Sequence, residues 1–299
     1  MKTESKIRKI AFLGDYLPRK CGIATFTSDL LTSVAADHPE TQCFAAAVND
    51  IDGGYEYPDV VRFEIEEQDL TSYQRAADFI NISNVDMACL QHEFGIFGGP
   101  AGSHVLALVR ELKTPIVTTL HTVLREPNFD QRRVMQELIA RSTRLVVMTE
   151  RAQRMLQEVY QSPPGKIDLI PHGIPDIPFV DPNYYKDQFS VEGRIVLLTF
   201  GLLSPNKGIE NVLHALPPIL AEFPDVVYVV LGATHPNELR EQGEAYRLGL
   251  EILAKKNKIE KNVIFYNRFV ELEELKEFIG AADLYITPYL NEAQITSGT

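Results

Sequence analysis

The segment Phe200-Gly201-Leu202-Leu203-Ser204-Pro205-Asn206-Lys207-Gly208 joins an apolar run that starts at Arg194 to an amphipathic stretch from Ile209 to Phe223. A strand, a glycine turn, a lysine and a helix start present one cation and several free backbone N–H groups, which is what a phosphate needs. About 85 residues beyond Lys207, a strand end at Pro288-Tyr289-Leu290 leads to Glu292 and then to Gln294, Ile295 and Thr296 at an expected helix start. A carboxylate can accept from two neighbouring sugar hydroxyls, and the N–H groups of residues 294–296 can reach sugar and phosphate. Gly201, Lys207, Glu292, Gln294, Ile295 and Thr296 together form an expected nucleotide-sugar site. The plainer alternatives are an exposed turn lysine and a carboxylate stabilised by the helix dipole.

A second set lies in the first half of the chain. Gly14 and Gly22 bracket a loop after an apolar run, and Cys21-Gly22 opens a helix where a glycine lets backbone approach a phosphate or an acceptor. The loop is too long for a dinucleotide fingerprint, and GxGxxG is absent. His92 and Glu93 end one apolar strand and His121 ends another, where an α/β protein exposes side chains to its crevice. His92 and Glu93, with Cys21 and Gly22, are candidates for positioning an acceptor, and 94–99 for a flexible lip beside them. His172 closes a third strand, with a structural role expected. His92, His121 and His172 lack metal-ligand spacing, no GxSxG elbow occurs, and no metal is expected.

The elements that must position these residues alternate between strand and helix patterns, which argues for parallel sheets flanked by helices. Strands are expected at Lys9–Leu13, Gln42–Val48, Val60–Ile65, Met87–Gln91, Ile116–Leu120, Leu145–Met148 and Ile167–Ile170. Helices are expected at Ile23–Ala36, Leu70–Ile82, Ala101–Leu112, Gln131–Ala140 and Glu150–Tyr160. A proline-rich stretch after Gly173 marks a linker, 176–190, between a first domain, 1–175, and a second, 191–299. The second repeats the alternation at Ile195–Phe200, Val226–Leu231, Val263–Phe265 and Leu284–Thr287.

In 299 residues, 45% are hydrophobic and 23% charged, the balance of a soluble globular protein. The net charge of −12 argues against nucleic acid as a partner. Arg125, Arg132, Arg133, Arg141, Arg144, Arg151 and Arg154 are the local exception. They are a solvated helix face or a contact for an anionic acceptor or membrane surface. Cys21, Cys43 and Cys89 are scattered and odd in number, which suits a reducing, cytoplasmic setting.

The chain resembles the retaining GT-B glycosyltransferases of family GT4, in particular the mannosyltransferase-like branch. The resemblance rests on Pro18-Arg19-Lys20-Cys21-Gly22-Ile23-Ala24-Thr25-Phe26, Gln91-His92-Glu93-Phe94-Gly95-Ile96-Phe97-Gly98-Gly99, Thr118-Thr119-Leu120-His121-Thr122, Ile170-Pro171-His172-Gly173, the lysine turn and the glutamate segment, in the family's order. It implies two Rossmann-like domains facing across a cleft, an acceptor in the first and a nucleotide-diphosphate sugar in the second. It also implies transfer of a hexosyl unit, mannosyl in that branch, with retention to a glycan, lipid or small-molecule acceptor, without cofactor or metal. Lys207 and helix N-termini would take the diphosphate, Glu292 the sugar, and His121 would lie beside the transferring sugar. Leu202 stands where many members carry arginine. Family members continue with further βα units and a returning C-terminal helix, so a truncated second domain is expected. A GT-B phosphorylase or sugar epimerase, and a non-catalytic nucleotide-sugar-binding module, are the alternatives.

Overall fold

The structure is a computed structural model that describes residues 7–174 and 178–290. The chain divides into two compact units that meet in sequence at Gly173 and Ile174.

The first unit runs β1 (Lys9–Gly14), α1 (Gly22–Asp37), β2 (Gln42–Asn49), β3 (Val61–Glu66), α2 (Leu70–Ile82), β4 (Met87–His92), α3 (Val105–Glu111), β5 (Ile116–Leu120), α4 (Phe129–Arg141), β6 (Arg144–Val147), α5 (Glu150–Tyr160) and β7 (Ile167–Leu169). Its seven strands are parallel in the order β3-β2-β1-β4-β5-β6-β7. The winding reverses between β1 and β4, the point where an open α/β sheet leaves a crevice at its carboxyl edge. The strands read as unbroken apolar runs because alternate residues serve two cores. Ala11, Leu13, Ala46, Val48 and Leu90 pack with Tyr73 of α2 and Val105 of α3. Ile10, Phe12, Ala45, Ala47 and Cys89 pack with Leu31 of α1. Gly14 has φ +149°, and a Cβ there would stand 3.1 Å from Gln91 Cβ, so a glycine lets β1 and β4 end side by side.

The second unit runs α6 (Asn183–Lys186), β8 (Ile195–Phe200), α7 (Ile209–Glu222), β9 (Val226–Leu231), α8 (Pro236–Gln242), α9 (Ala245–Lys256), β10 (Val263–Tyr266), α10 (Leu272–Ala281) and β11 (Leu284–Tyr285). Its parallel strands lie in the order β10-β9-β8-β11, so here the reversal falls between β8 and β11. All six residues of β9 are buried, with Val226, Tyr228 and Val230 in one core and Val227, Val229 and Leu231 in the other.

The structure departs from three of the expectations for local physical reasons. The helix expected from Ala101 begins at Val105, because Ala101 and Gly102 take left-handed backbone (φ +52° and +71°) in a 3-10 turn. The segment 94–99 is not a lip. Ile96 and Phe97 are 5% exposed and sit in the first unit's core, and the Gly98 N–H donates to the Tyr73 hydroxyl at 3.1 Å. Residues 183–189, inside the expected linker, form α6 and a 3-10 turn. The buried Lys186 ammonium donates to Asp283 Oδ2 at 2.7 Å and to the Arg194 carbonyl at 2.8 Å, binding α6 to the second sheet.

Candidate functional site

The lysine turn stands at the winding reversal of the second sheet. β8 ends at Phe200, and Gly201 takes φ +124° with its N–H on the Leu231 carbonyl at 3.0 Å. A Cβ on Gly232 would strike the Gly201 carbonyl, so the ends of β8 and β9 meet backbone to backbone. The turn continues through a 3-10 stretch, Pro205–Lys207, and Gly208 at φ +61° caps α7. Gly208 also lies against the Pro288 carbonyl, with no room for a side chain.

That contact answers the main question raised by the motifs. β11 pairs with β8 through Leu284↔Leu197 and Tyr285↔Leu198, and the Ile286 N–H continues the ladder to the Leu198 carbonyl at 2.8 Å. Residues 288–290 are thereby carried onto the lysine turn, where the Leu290 N–H donates to the Asn206 carbonyl at 3.0 Å. Lys207 Nζ donates to the Tyr289 hydroxyl at 2.9 Å and lies 4.1 Å from the centre of that ring. Gly201, Lys207 and the segment leading to Glu292 are therefore brought together. Glu292, Gln294, Ile295 and Thr296 lie outside the described residues. Leu202 is half-buried. Beside the turn, the His235 N–H donates to the Leu203 carbonyl at 2.8 Å. Burial lowers the pKa of His235, with Lys207 and Arg240 adding to the effect against Glu238.

The reversal point of the first sheet gathers a polar cluster that sequence reasoning missed. Asp15, the residue after β1, is fully buried. Arg19 Nη1 donates to Asp15 Oδ1 at 2.8 Å and to the Val48 carbonyl at 3.2 Å. The same guanidinium lies 3.5 Å from Asp50 and 3.9 Å from Glu67. Burial pushes the Asp15 carboxyl up to about 7, opposed by Arg19 and the Cys21 thiol. Its Oδ2 has no hydrogen-bond partner among the described residues. Burial, with Asp15 beside it, raises Cys21 to about 11, so this thiol is protonated and unreactive at neutral pH. Gly22 starts α1 exposed, and a Cβ there would touch nothing. The only sequence signal for the cluster is the spacing Asp15-x-x-x-Arg19.

The three imidazoles differ. His92 is fully buried, its ring stacked on Phe97 at 6.1 Å and edge-on to Phe94 at 5.0 Å, and neither nitrogen has a hydrogen-bond partner among the described residues. Burial first, and His121 second, push it down to about 3. In this arrangement His92 offers no atom to a ligand. His121 is 9% exposed, its Nε2 3.0 Å from Gln91 Oε1 and its ring edge-on to Phe26 at 4.8 Å. Burial, aided by His172, brings it down to about 4, so it too is neutral at pH 7. His172 is exposed and also meets the Phe26 ring in a T-shaped contact, at 5.2 Å. Glu93, raised by burial, accepts from the Thr122 hydroxyl and from the Phe94 N–H at 2.9 Å. Cys21, Gly22, Glu93 and His121 thus occupy the carboxyl edge of one sheet, with His92 beneath.

The expectation of a metal-free site overlooked one DxD triplet, Asp50-Ile51-Asp52, just past β2. Asp50 faces Arg19 and accepts from the Tyr55 hydroxyl at 2.8 Å. Among the described residues no three metal-ligating side chains gather. Most of the arginine-rich stretch is engaged within the protein. Arg132 donates to the Val159 carbonyl at 2.9 Å and covers the Tyr160 ring. Arg133 faces Asp130, Arg141 faces Glu137, Arg144 faces Asp168 and Arg154 faces Glu150. No helix among the described residues is long and apolar enough to cross a membrane.

With this geometry in place, comparison with known proteins is decisive on family. The model of Glycosyltransferase Family 4 matches residues 22–176, more than half of the chain. The chain belongs to this family. The model of glycosyl transferases group 1 matches residues 181–294, spanning the lysine turn. A phosphatidyl-myo-inositol mannosyltransferase of Mycolicibacterium smegmatis is 40% identical over 73 residues, which are 24% of this chain and 19% of that protein. Among solved structures, sucrose-phosphate synthase from Thermosynechococcus elongatus superposes with a TM-score of 0.74 at 15% identity, over 96% of this chain and 76% of its own. Anabaena HepE, solved with UDP and glucose, does so with a TM-score of 0.68 at 16% identity, over 93% and 73%. At such identities the likeness is one of fold, and the family member carries the expected α/β class, GT-B.

Proposed function

We propose that the chain is the core of a glycosyltransferase that moves a hexosyl unit from a nucleotide-diphosphate sugar to an acceptor, with retention and without a metal. The observation that carries this reading is the packing of residues 288–290 onto the lysine turn, at the carboxyl edge where β8 and β11 diverge. In the second unit, Lys207 and the N–H groups that open α7 take the departing diphosphate, and Gly201 supplies the turn that brings them to the end of β8. Glu292 takes the sugar hydroxyls, with the N–H groups of Gln294, Ile295 and Thr296 as further donors. In the first unit, the exposed Gly22 with Cys21 and Glu93 holds the acceptor, and His121 serves the transition state as a neutral imidazole. His92 supports these from below rather than by contact.

HepE's UDP and UDP-glucose complexes support a nucleotide-sugar donor, and the mannosyltransferase relative favours mannose as the sugar. Front-face departure would let the diphosphate oxygen accept the acceptor's proton, so that no protein base is needed.

The half-buried Leu202 at the family's arginine position favours a second reading, a module that binds the nucleotide sugar without turnover. The test is calorimetric titration with GDP-mannose, UDP-glucose, UDP-N-acetylglucosamine and ADP-glucose. One donor is expected to bind, and Lys207→Ala should weaken it about 10- to 100-fold, the worth of a charge-assisted phosphate contact. An unchanged affinity in Lys207→Ala would overturn the site. Saturable binding with no product, followed by anomeric proton NMR in the presence of glycan or lipid acceptors, would select the binding module.

A further inference from the structure

We propose that Tyr289 is the positioning residue of Lys207: its hydroxyl and ring fix the ammonium in the phosphate-facing turn before any nucleotide arrives. The proposal rests on the reading of Lys207 as the diphosphate's cation and adds a residue that neither the motifs nor the comparisons assign.

A lysine on a mobile turn spends much of its phosphate attraction on ordering its own side chain, which has up to about 2 kcal/mol of rotamer entropy to lose. Here that freedom is removed in two ways at once. Lys207 Nζ donates one hydrogen bond to the Tyr289 hydroxyl at 2.9 Å, and the same nitrogen sits 4.1 Å from the ring centre, within cation–π range. An ammonium has three N–H donors, so one spent on Tyr289 leaves two for phosphate oxygens.

Tyr289 is itself held from both sides. The Gly208 backbone abuts the Pro288 carbonyl, and the Leu290 N–H donates to the Asn206 carbonyl. With the half-buried Leu202 in place of a second cation, the orientation of the single lysine matters more. Tyrosine suits the task because its hydroxyl oxygen accepts from the ammonium and its ring covers the same nitrogen.

The experiment is a double-mutant cycle on the full chain, read by calorimetry with UDP and GDP and with uridine and guanosine. Tyr289→Phe is expected to weaken the recognised nucleoside diphosphate about 5- to 10-fold while leaving its nucleoside unchanged. In a Lys207→Ala background the same substitution should have no further effect, because the two residues act as one unit.

A Tyr289→Phe that weakens nucleoside and diphosphate alike, or weakens the diphosphate equally with and without Lys207, would overturn the proposal in favour of a packing role. So would an unchanged diphosphate affinity in Tyr289→Phe where Lys207→Ala is impaired. If Lys207→Ala binds the diphosphate as well as the parent chain, or the parent binds neither UDP nor GDP, the donor-site reading fails, and this inference with it.

Discussion

At the scale of single residues, the unexpected feature is how much charge is buried around Arg19. One guanidinium stands between Asp15, Asp50 and Glu67, and it is the main offset to a fully buried carboxylate. Removing one partner of such a group costs about 3–5 kcal/mol when the other must stay charged. Asp15 can escape by taking a proton, since burial has already brought it to about 7. Arg19→Met should therefore destabilise the first unit more at pH 8 than at pH 6, as read by urea midpoints at the two values. Equal losses would show that Asp15 stays ionised throughout.

The histidines give a second pH effect of opposite sign to that of Asp15. Asp15 has a raised pKa, so between about 4 and 7 the folded chain holds a proton that the unfolded chain releases, and this contribution falls as pH rises. His92 and His121 have lowered values, about 3 and about 4, so the unfolded chain takes up protons from about 6.5 downwards while the folded chain does not. Their contribution is present above about 6.5 and lost as pH falls. Two groups outweigh one, and the urea midpoint is expected to drop between pH 6.5 and 4. His121→Asn should make that drop shallower. A slope unaltered by the substitution would show that His121 is protonated in the folded chain.

At the scale of elements, the second sheet is tied at one end by a clamp that involves neither motif. Asp283 Oδ2, just before β11, accepts from the Val196 N–H of β8 at 2.7 Å and from the Lys186 ammonium of α6 at 2.7 Å. Asp283→Ala leaves a 5%-exposed ammonium with the Arg194 carbonyl as its remaining hydrogen-bond acceptor among the described residues. It should cost about 2–4 kcal/mol. Hydrogen exchange should show the loss at the β8 and β9 amides, with β1 and β4 unaffected. Uniform acceleration in both units would refute a local clamp.

The same comparison of elements explains what could be read from the sequence. The strands bearing the candidate residues were evident because a parallel strand buried on both faces is written as a local apolar run. The lysine turn was evident because glycine, lysine and helix start are contiguous. The Arg19 cluster draws on residues 15 to 67, and the Lys207–Tyr289 pair spans 82 positions. Their logic lies in strand order, which local pattern does not encode. The left-handed Ala101 that delays α3 was hidden for another reason, since alanine by itself does not favour that backbone.

At the scale of the whole molecule, each matched family section falls on one unit save for two or three residues at its end: residues 22–176 on the first and 181–294 on the second. Each unit has its own parallel sheet and its own reversal point, so the chain repeats one architectural idea with different side chains at the edge. The order β10-β9-β8-β11 has a consequence for synthesis. As the polypeptide leaves the ribosome, β8, β9 and β10 can pair in succession, but the far side of β8 waits for β11, whose Leu284 lies 87 positions after its partner Leu197. Until then Leu197 and Leu198 belong to an open strand edge, the kind that joins other chains. The turn bearing Lys207 is unfinished for the same interval, since Gly208 and Asn206 have not met residues 288 and 290. The lysine turn thus cannot be completed before residue 290 has left the ribosome, and nascent chains halted before Leu284 would be prone to self-association.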